Sequence, residues 1–406
     1  VNPTILFAGG GTGGHVFPMI AVADAVRALR PDVDIVFVGT ARGLETKVVP
    51  ERGYRLELVE VAPLRGGGVR GAVEGVVVAA RAIPRARALL LRLAPRAVFS
   101  IGGYAAGPVS VAARTLGVPV ALMEPNAEAG LANRLAAPLV ARAYTAFTES
   151  DRYFSRKVVL RTGVPLRAGF APVAYARSGD LRVLVLGGSQ GAQSLNETVP
   201  RALSRLGFGI RVTHQCGAGR DAAVRALYAE LRMADRASVV PFIDDVPRAL
   251  AAADLVVGRA GANAVAEICA VGRPSLLVPY PFAGDHQRHN AASLVREGAA
   301  VCVLAAEATV ERIAAEIERL VAKPETLPAM AEAARKLGRP AAARVIAEDL
   351  LALAGMERGA AGRGQGNGDG GEKGDGRGDG NGSRGGNGNA VRGDGATPRN
   401  ALRRLE

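Results

Sequence analysis

Short β-branched runs alternate with helical patterns from one end of the chain nearly to the other. In the first part the runs are TILFAG, DIVFVG, YRLELVEV, AVFSIGG, PVALMEP and ARAYTAF. Each is short and apolar, and the segments between them carry apolar positions at helical spacing. That alternation predicts parallel strands joined by crossover helices. Near LRTGVPLR the pattern pauses, and at Leu181 it restarts with LRVLVLGGSQGAQSLNETVPRAL, followed by IRVTHQ, ASVVPFI, DLVVG, PSLLVPY and AAVCVL. The restart repeats the opening device of strand, glycine loop and helix. The expected fold is therefore α/β, with two Rossmann-like domains at residues 1–163 and 164–354 meeting at a linker near residues 163–180. The last helix is able to pack back on the first domain. Ligands of such sheets bind beyond the carboxyl ends of the strands, so two domains facing each other would share a cleft.

From about Gly355 the periodicity vanishes into GRGQGNGDGGEKGDGRGDGNGSRGGNGNAVRGDG. Such a composition cannot bury enough apolar surface to offset the entropy of ordering, so residues 355–406, rich in Gly, Arg, Asp and Asn, are expected to form a disordered tail. Its acids and bases nearly cancel. The formal net charge of +13 therefore belongs mostly to the folded part and favours anionic partners. Nucleic acid is not expected among them, because aromatic content is 4% with no Trp and no nucleic-acid-binding motif occurs. No uninterrupted apolar run reaches about 18 residues, so no membrane-spanning helix is expected. The opening TILFAGG lacks the charged and apolar regions of a secretory signal, which makes the cytoplasm the expected address. Cys216, Cys269 and Cys302 are scattered and read as buried thiols.

The opening glycines carry the first candidate chemistry. Gly9, Gly10, Gly11, Gly13 and Gly14 allow a tight turn and let a ligand approach bare backbone N–H groups at a helix N-terminus, a seat for an anion such as phosphate. The plainer alternative is a tight strand-to-helix connection. A dinucleotide fingerprint does not fit, since DIVFVGT ends in Gly39 and Thr40 where a ribose-binding acid belongs. The second loop, GGSQGAQS, repeats the logic with Ser189 and Gln190 as added donors. Further on, a strand ends at Gly258, a glycine turn follows, and the next helix carries Glu267 about one and a half turns in. A carboxylate there could accept both hydroxyls of a ribose, or simply be a solvated residue favoured by the helix N-terminus. Asp244 and Asp245 precede VPRALAAA and are placed to cap that helix. His286 and His289 lie three apart without a further ligand cluster, so neither a protein-held metal nor a cofactor is expected.

Taken together, GGTGGHVFP, SIGGY at residues 100–104, GGSQGA, FIDDV and RAGANAVAEICAVGRPSLLVPYPFAGDHQRHNA resemble, in order and over about residues 3–354, the MurG family of peptidoglycan glycosyltransferases. The resemblance implies the GT-B architecture, two Rossmann-like domains facing across a cleft. It implies inverting transfer of N-acetylglucosamine from UDP-GlcNAc to the 4-hydroxyl of the N-acetylmuramoyl group of lipid I, undecaprenyl-pyrophosphoryl-N-acetylmuramoyl pentapeptide, giving lipid II. The protein would act peripherally at the cytoplasmic face of the cell membrane, against an anionic membrane surface, with other cell-wall synthesis proteins as further partners. In the second domain Ser189 and the loop amides would take the diphosphate, Arg167 and the backbone at Ile243 would lie near the uracil, and Gln287 would take the sugar hydroxyls. The run Ala262, Asn263, Ala264, Val265, Ala266 and Glu267 would line the donor, with Glu267 on the ribose. Thr12, Gly13 and Gly14 would line the catalytic cleft, Gly102, Gly103 and Tyr104 the acceptor side, and Asn126 would reach the donor sugar.

Inverting transfer needs a base rather than a protein nucleophile. His15 is the first candidate, since imidazole is the side chain whose ordinary titration range spans neutrality; its alternative role is to order the glycines. Two positions depart from the family pattern: Pro125 stands where Gln is usual, and Ala264 where a hydroxyl is common. Another GT-B transferase acting on a lipid acceptor, a UDP-GlcNAc epimerase and a silent cell-wall scaffold are the rival readings. Residues 65–96 are the expected membrane-docking segment, mixing Val76, Val77, Ile83, Leu89 and Leu90 with Arg70, Arg81, Arg85, Arg87 and Arg92. Pro84 is expected to interrupt its helix. The competing expectation is a core helix packed on the sheet.

Overall fold

The computed structural model describes residues 2–60, 69–103, 105–188, 191–281 and 285–357, with the backbone alone for residues 69–80. Tyr104, Ser189, Gln190 and residues 358–406 of the expected tail lie outside the described residues, as do the side chains of Arg70, Val76 and Val77.

The strands, in chain order, are β1 (Thr4–Gly9), β2 (Asp34–Gly39), β3 (Arg55–Leu58), β4 (Ala97–Gly102), β5 (Val120–Glu124), β6 (Arg142–Thr145), β7 (Val159–Arg161), β8 (Leu181–Leu186), β9 (Ile210–Gln215), β10 (Ala237–Val240), β11 (Leu255–Gly258), β12 (Ser275–Leu277) and β13 (Ala300–Cys302). The helices are α1 (Gly13–Leu29), α2 (Glu45–Glu51), α3 (Val69–Leu93), α4 (Ala106–Thr115), α5 (Leu131–Ala136), α6 (Gln193–Leu203), α7 (Asp221–Glu230), α8 (Val246–Ala252), α9 (Ala262–Val271), α10 (His286–Arg296), α11 (Val310–Val321), α12 (Thr326–Leu337) and α13 (Ala342–Leu353). They build two sheets, ordered β3-β2-β1-β4-β5-β6-β7 and β10-β9-β8-β11-β12-β13. All pairings are parallel. β1, β4 and β5 are buried along their whole length, which is why they read as continuous apolar runs rather than alternating ones. Strand order reverses between β1 and β4 and again between β8 and β11. These reversals open the crevices where doubly wound sheets take ligands.

The core of the first half is held by aromatic rings on adjacent strands, with Phe7 stacked on Phe37 at 5.2 Å and tilted on Phe99 at 5.3 Å. Helix α13 follows the second sheet in sequence but buries Ile346, Ala347, Leu350 and Leu351 in this first core, beside Val16, Met19 and Ala23 of α1. Arg142 Nε and Tyr144 OH each donate to Asp349 Oδ2 at 2.8 Å, tying β6 to the same helix. Met356, within the segment read as tail, is buried in that core, and its carbonyl accepts from Arg30 at 2.7 Å.

Helix α3 corrects one expectation: it runs unbroken through Pro84. Pro84 lies on the exposed face, so the carbonyl one turn earlier that loses its N–H partner can turn to water. The opposite face buries Ala82, Ala86 and Leu90, with Ile83 and Leu89 half-buried, as the core-helix alternative has it. Arg81, Arg85, Arg87 and Arg92 are exposed, and Leu91 beside them is 61% exposed.

Candidate active site

The loop after β1 sits at the first switch point. Gly10 has φ +146°, and a Cβ there would lie 2.3 Å from the Glu45 carboxyl, so no side chain fits. Buried Glu45 accepts the N–H groups of Gly11 (2.8 Å) and Thr40 (2.9 Å) and the Thr40 hydroxyl (3.2 Å). One carboxylate thereby fixes the loops after β1 and β2 together. Gly102 and Gly103 follow β4, and a Cβ on Gly103 would meet the Gly10 carbonyl at 3.0 Å. Thr12 occupies the N-cap position of α1 in extended backbone, but its side chain makes no capping bond. Gly13 and Gly14 form the first turn, whose leading N–H groups take no side-chain cap and stay open to a ligand, while Pro18 has no N–H to return to the Gly14 carbonyl.

His15 is half-buried in that turn, with Nδ1 3.2 Å from the Gly10 carbonyl oxygen. A carbonyl can only accept, so in the neutral form of the ring the proton sits on Nδ1 and the lone pair falls on Nε2. A third loop follows β5. Glu124 is buried and accepts from Asn126 N–H (2.9 Å), Gly130 N–H (3.1 Å), Asn133 Nδ2 (2.8 Å) and Asn126 Nδ2 (3.3 Å). Burial pushes its carboxyl above the usual range in spite of these donors.

The second half repeats the device. Gly187 and Gly188 follow β8, and a Cβ on Gly191 would fall 2.1 Å from the Cys216 carbonyl, so only glycine lets this loop fold against β9. Gln215 Nε2 donates to the Gly188 carbonyl at 3.0 Å. Behind the loop, His214 bonds Tyr228 OH and Asn196 Oδ1, each at 3.1 Å, and burial pushes the imidazole down to about 4. At the second switch point Arg259 donates to the carbonyls of Val278 (2.9 Å) and Pro279 (3.3 Å) and to Ser194 Oγ (2.9 Å). Gly261 then caps α9, and left-handed Gly272 ends it.

Glu267 stands half-buried in the second turn of α9, so it is not a plainly solvated residue. Burial pushes its carboxyl up to about 7, with the Arg167 guanidinium pulling the other way. Arg167 lies over the Phe170 ring at 5.8 Å and, with Asp244, Asp245 and Arg248, lines an open groove of ≈ 740 Å³. Ile243 packs half-buried on the second core, and Asp245 caps α8 by accepting the Arg248 N–H at 3.0 Å. Gln287 Oε1 accepts from Ala260 N–H (3.2 Å) and Tyr280 N–H (3.0 Å), which leaves its Nε2 outside these two bonds. Among the described residues no group of three or more His, Cys, Asp or Glu is placed to hold a metal.

The halves meet at these loops. Ala262 and Ala266 of α9 pack on the first core, and Asn263 Nδ2 donates to the Gly13 carbonyl at 3.4 Å. Asn263 Oδ1 is buried and accepts no bond from the described residues. Beside them Ala264 is half-buried and Val265 buried in the second core. His286 Nδ1 bonds the Glu128 carbonyl at 3.0 Å, and Asn290 joins Asn126 and Ala127 to Ala260. The structure thus brings Thr12, Gly13, Gly14, His15 and Asn126 to the end of α9. The Arg167 guanidinium acts on this helix through the Glu267 carboxyl, and Ile243 packs on the second half's core. Sequence reasoning missed Glu45, Glu124, Arg259 and Asn290. The one signal for Glu124 was a charged residue closing an otherwise apolar strand.

Two family models match the chain, the glycosyltransferase family 28 N-terminal domain over residues 5–145 and the family 28 C-terminal domain over residues 182–347. A protein of Sorangium cellulosum named UDP-N-acetylglucosamine–N-acetylmuramyl-(pentapeptide) pyrophosphoryl-undecaprenol N-acetylglucosamine transferase is 58% identical over 362 residues, 87% of this chain and 89% of its own. The chain belongs to the MurG family. A protein of the same name from an Anaeromyxobacter species is 44% identical over 357 residues, covering 86% of this chain and 92% of its own. The crystal structure of Acinetobacter baumannii MurG superposes with a TM-score of 0.74 at 29% identity, over 86% of this chain and 99% of that one. A UDP-N-acetylglucosamine 2-epimerase structure matches with a TM-score of 0.59 at 14% identity, which shows a shared fold alone. The two sheets are the two Rossmann-like domains of a GT-B glycosyltransferase of the MurG type. Among the described residues no helix is long and apolar enough to cross a membrane.

Proposed function

We propose that this MurG-family chain transfers N-acetylglucosamine from UDP-GlcNAc to the 4-hydroxyl of the N-acetylmuramoyl group of lipid I, with inversion, giving lipid II. The observation that carries the reading is the junction of α1 and α9: the open helix end bearing His15 abuts the helix bearing Glu267, through Ala262, Ala266 and the bond from Asn263 to Gly13. The donor occupies the second half, taken as residues 164–354, with the diphosphate at Ser189 and its loop, the uracil near Arg167 and Ile243, and the ribose on Glu267. Gln287 and Asn126 take the sugar, and Asn263 Oδ1 has an acceptor to offer a ligand hydroxyl. The acceptor enters the first half, residues 1–163, beside Gly102, Gly103 and Tyr104, with its pyrophosphate against Thr12, Gly13 and Gly14.

His15 Nε2 takes the proton of the 4-hydroxyl as that oxygen bonds to the anomeric carbon, and the bond from that carbon to the UDP oxygen breaks on the opposite face. UDP leaves held by the second glycine loop. A polyprenyl-anchored acceptor exposes its sugar only at the bilayer surface, so the same reading makes the protein peripheral at the cytoplasmic face. The exposed Arg81, Arg85 and Arg87 of α3 support contact with anionic lipid. That position also brings other cell-wall synthesis proteins within reach.

Acceptor dependence tests the reading. UDP release from UDP-GlcNAc should require a lipid I analogue and yield a glycosylated lipid. Release of an epimerised free sugar without acceptor would establish an epimerase, and no turnover with acceptor present would leave a scaffold.

A further inference from the structure

Asn290 of α10 is fully buried although its side chain is an amide. Its Oδ1 accepts the Ala127 N–H at 2.8 Å, and its Nδ2 donates to Asn126 Oδ1 at 3.2 Å and to the Ala260 carbonyl at 3.1 Å. Both amide hydrogens are used, two of the three bonds cross into the first half, and the side chain becomes a spacer of fixed length and direction. Ala260 in turn donates its N–H to Gln287 Oε1 at 3.2 Å. One buried side chain therefore links the Asn126 loop to the backbone that holds Gln287 and leads into α9.

The link also sets how Asn126 faces. Its Nδ2 donates to Glu124 Oε1 at 3.3 Å while its Oδ1 accepts from Asn290. A flipped amide would put its oxygen against a Glu124 oxygen that already accepts the Asn126 N–H, and its NH₂ group against the Asn290 donor. In the observed orientation one N–H and one lone pair of Asn126 remain for a ligand.

We infer that Asn290 is a positioning residue for the donor sugar, orienting Asn126 and fixing its distance from the Gln287 side of the subsite. The inference rests on the reading that Asn126 and Gln287 take the N-acetylglucosamine. A residue that only sealed the junction could be apolar, whereas the loss of this amide strips partners from Asn126, Ala127 and Ala260 at once.

The test uses the full chain and compares UDP-GlcNAc with UDP, which shares every part of the donor except the sugar. Affinities for both, with kcat and KM, are measured for the unaltered protein, Asn290→Ala, Asn126→Ala and the double variant. Asn290→Asp is included because it keeps the volume and the acceptor for Ala127 while setting an oxygen against Asn126 Oδ1 and the Ala260 carbonyl, so loss of fold in the alanine variant leaves it to decide. The preference for UDP-GlcNAc over UDP should fall about tenfold or more in both Asn290 variants, with UDP affinity within about twofold. Once Asn126 is alanine, Asn290→Ala should add less than about threefold. A parallel loss of UDP affinity, or an equal cost in both backgrounds, would overturn the inference and reduce Asn290 to packing. An unaltered chain that neither binds nor turns over UDP-GlcNAc would instead overturn the reading of the site on which it rests.

Discussion

Donor affinity should titrate with Glu267. Burial pushes this carboxyl up to about 7 in the ligand-free protein, so it is ionised in roughly one molecule in ten at pH 6 and roughly nine in ten at pH 8. Only the carboxylate can accept from both ribose hydroxyls. The apparent Kd for UDP-GlcNAc is then about tenfold weaker at pH 6 than at pH 8, a difference of about 1.4 kcal/mol. UDP-GlcNAc suits the measurement because its diphosphate is esterified at both ends and keeps its charge across this range. Calorimetry at pH 6, 7 and 8 should show the dependence in the unaltered protein and a flat profile in Glu267→Gln. Glu267→Ala should weaken binding at pH 8 by about 1.5–3 kcal/mol, the worth of a charged hydrogen bond. The stability of the empty protein moves the other way. With the folded pKa raised above the ordinary value of 4.5, the folded state binds more protons than the unfolded one between about 4.5 and 7. Stability therefore declines as pH rises through that window, by roughly 1–3 kcal/mol once the residual solvent contact of this half-buried residue is allowed for, and Glu267→Gln removes the decline. A pH-independent Kd in the unaltered protein, or a slope that survives in Glu267→Gln, would refute the assignment.

Three further outcomes are expected. His15→Ala should slow single-turnover transfer by about two to four orders of magnitude and leave UDP-GlcNAc affinity nearly intact; a near-normal rate would remove His15 from the role of base. Changing Arg81, Arg85 and Arg87 to Glu should reduce flotation with anionic vesicles, each lost contact being worth about 1 kcal/mol, and a triple variant that floats like the unaltered protein places the docking surface elsewhere. Ending the chain after Glu357 should change neither melting temperature nor turnover, whereas ending it after Ala354 removes buried Met356 and should cost about 2–5 kcal/mol in denaturant unfolding; equal stability of the two would show that Met356 packs for nothing.

The glycine loops were legible because their cause is local. A glycine crowded between a β-branched run and a helical pattern has few uses, and both such loops fall at the points where strand order reverses. Pro84 misled for the opposite reason: its effect depends on which face of α3 it occupies, and that is decided by Ala82, Ala86 and Leu90 meeting the sheet. The apolar residues of α3 were visible as amphipathic, but sequence alone could not divide them between core and membrane. The polar residues that build the cleft were out of reach. Glu45 contacts Gly11 across 34 positions and Asn290 contacts Asn126 across 164, and no periodicity announces either pairing. Arg259 looked like one more basic residue in a basic chain until the carbonyls of β12's exit loop and Ser194 closed around it.

The central claim, inverting transfer across a cleft shared by the two halves, is tested most directly by the structure of the product. The protein is incubated with UDP-GlcNAc carrying ¹³C at the anomeric carbon and a short-chain lipid I analogue, and the linkage is read by NMR. The account predicts a single product in which the α-linked donor has become a β-linked N-acetylglucosamine on the 4-oxygen of the muramoyl sugar. An α-linkage, attachment at another oxygen, or labelled free sugar in place of the disaccharide would contradict it.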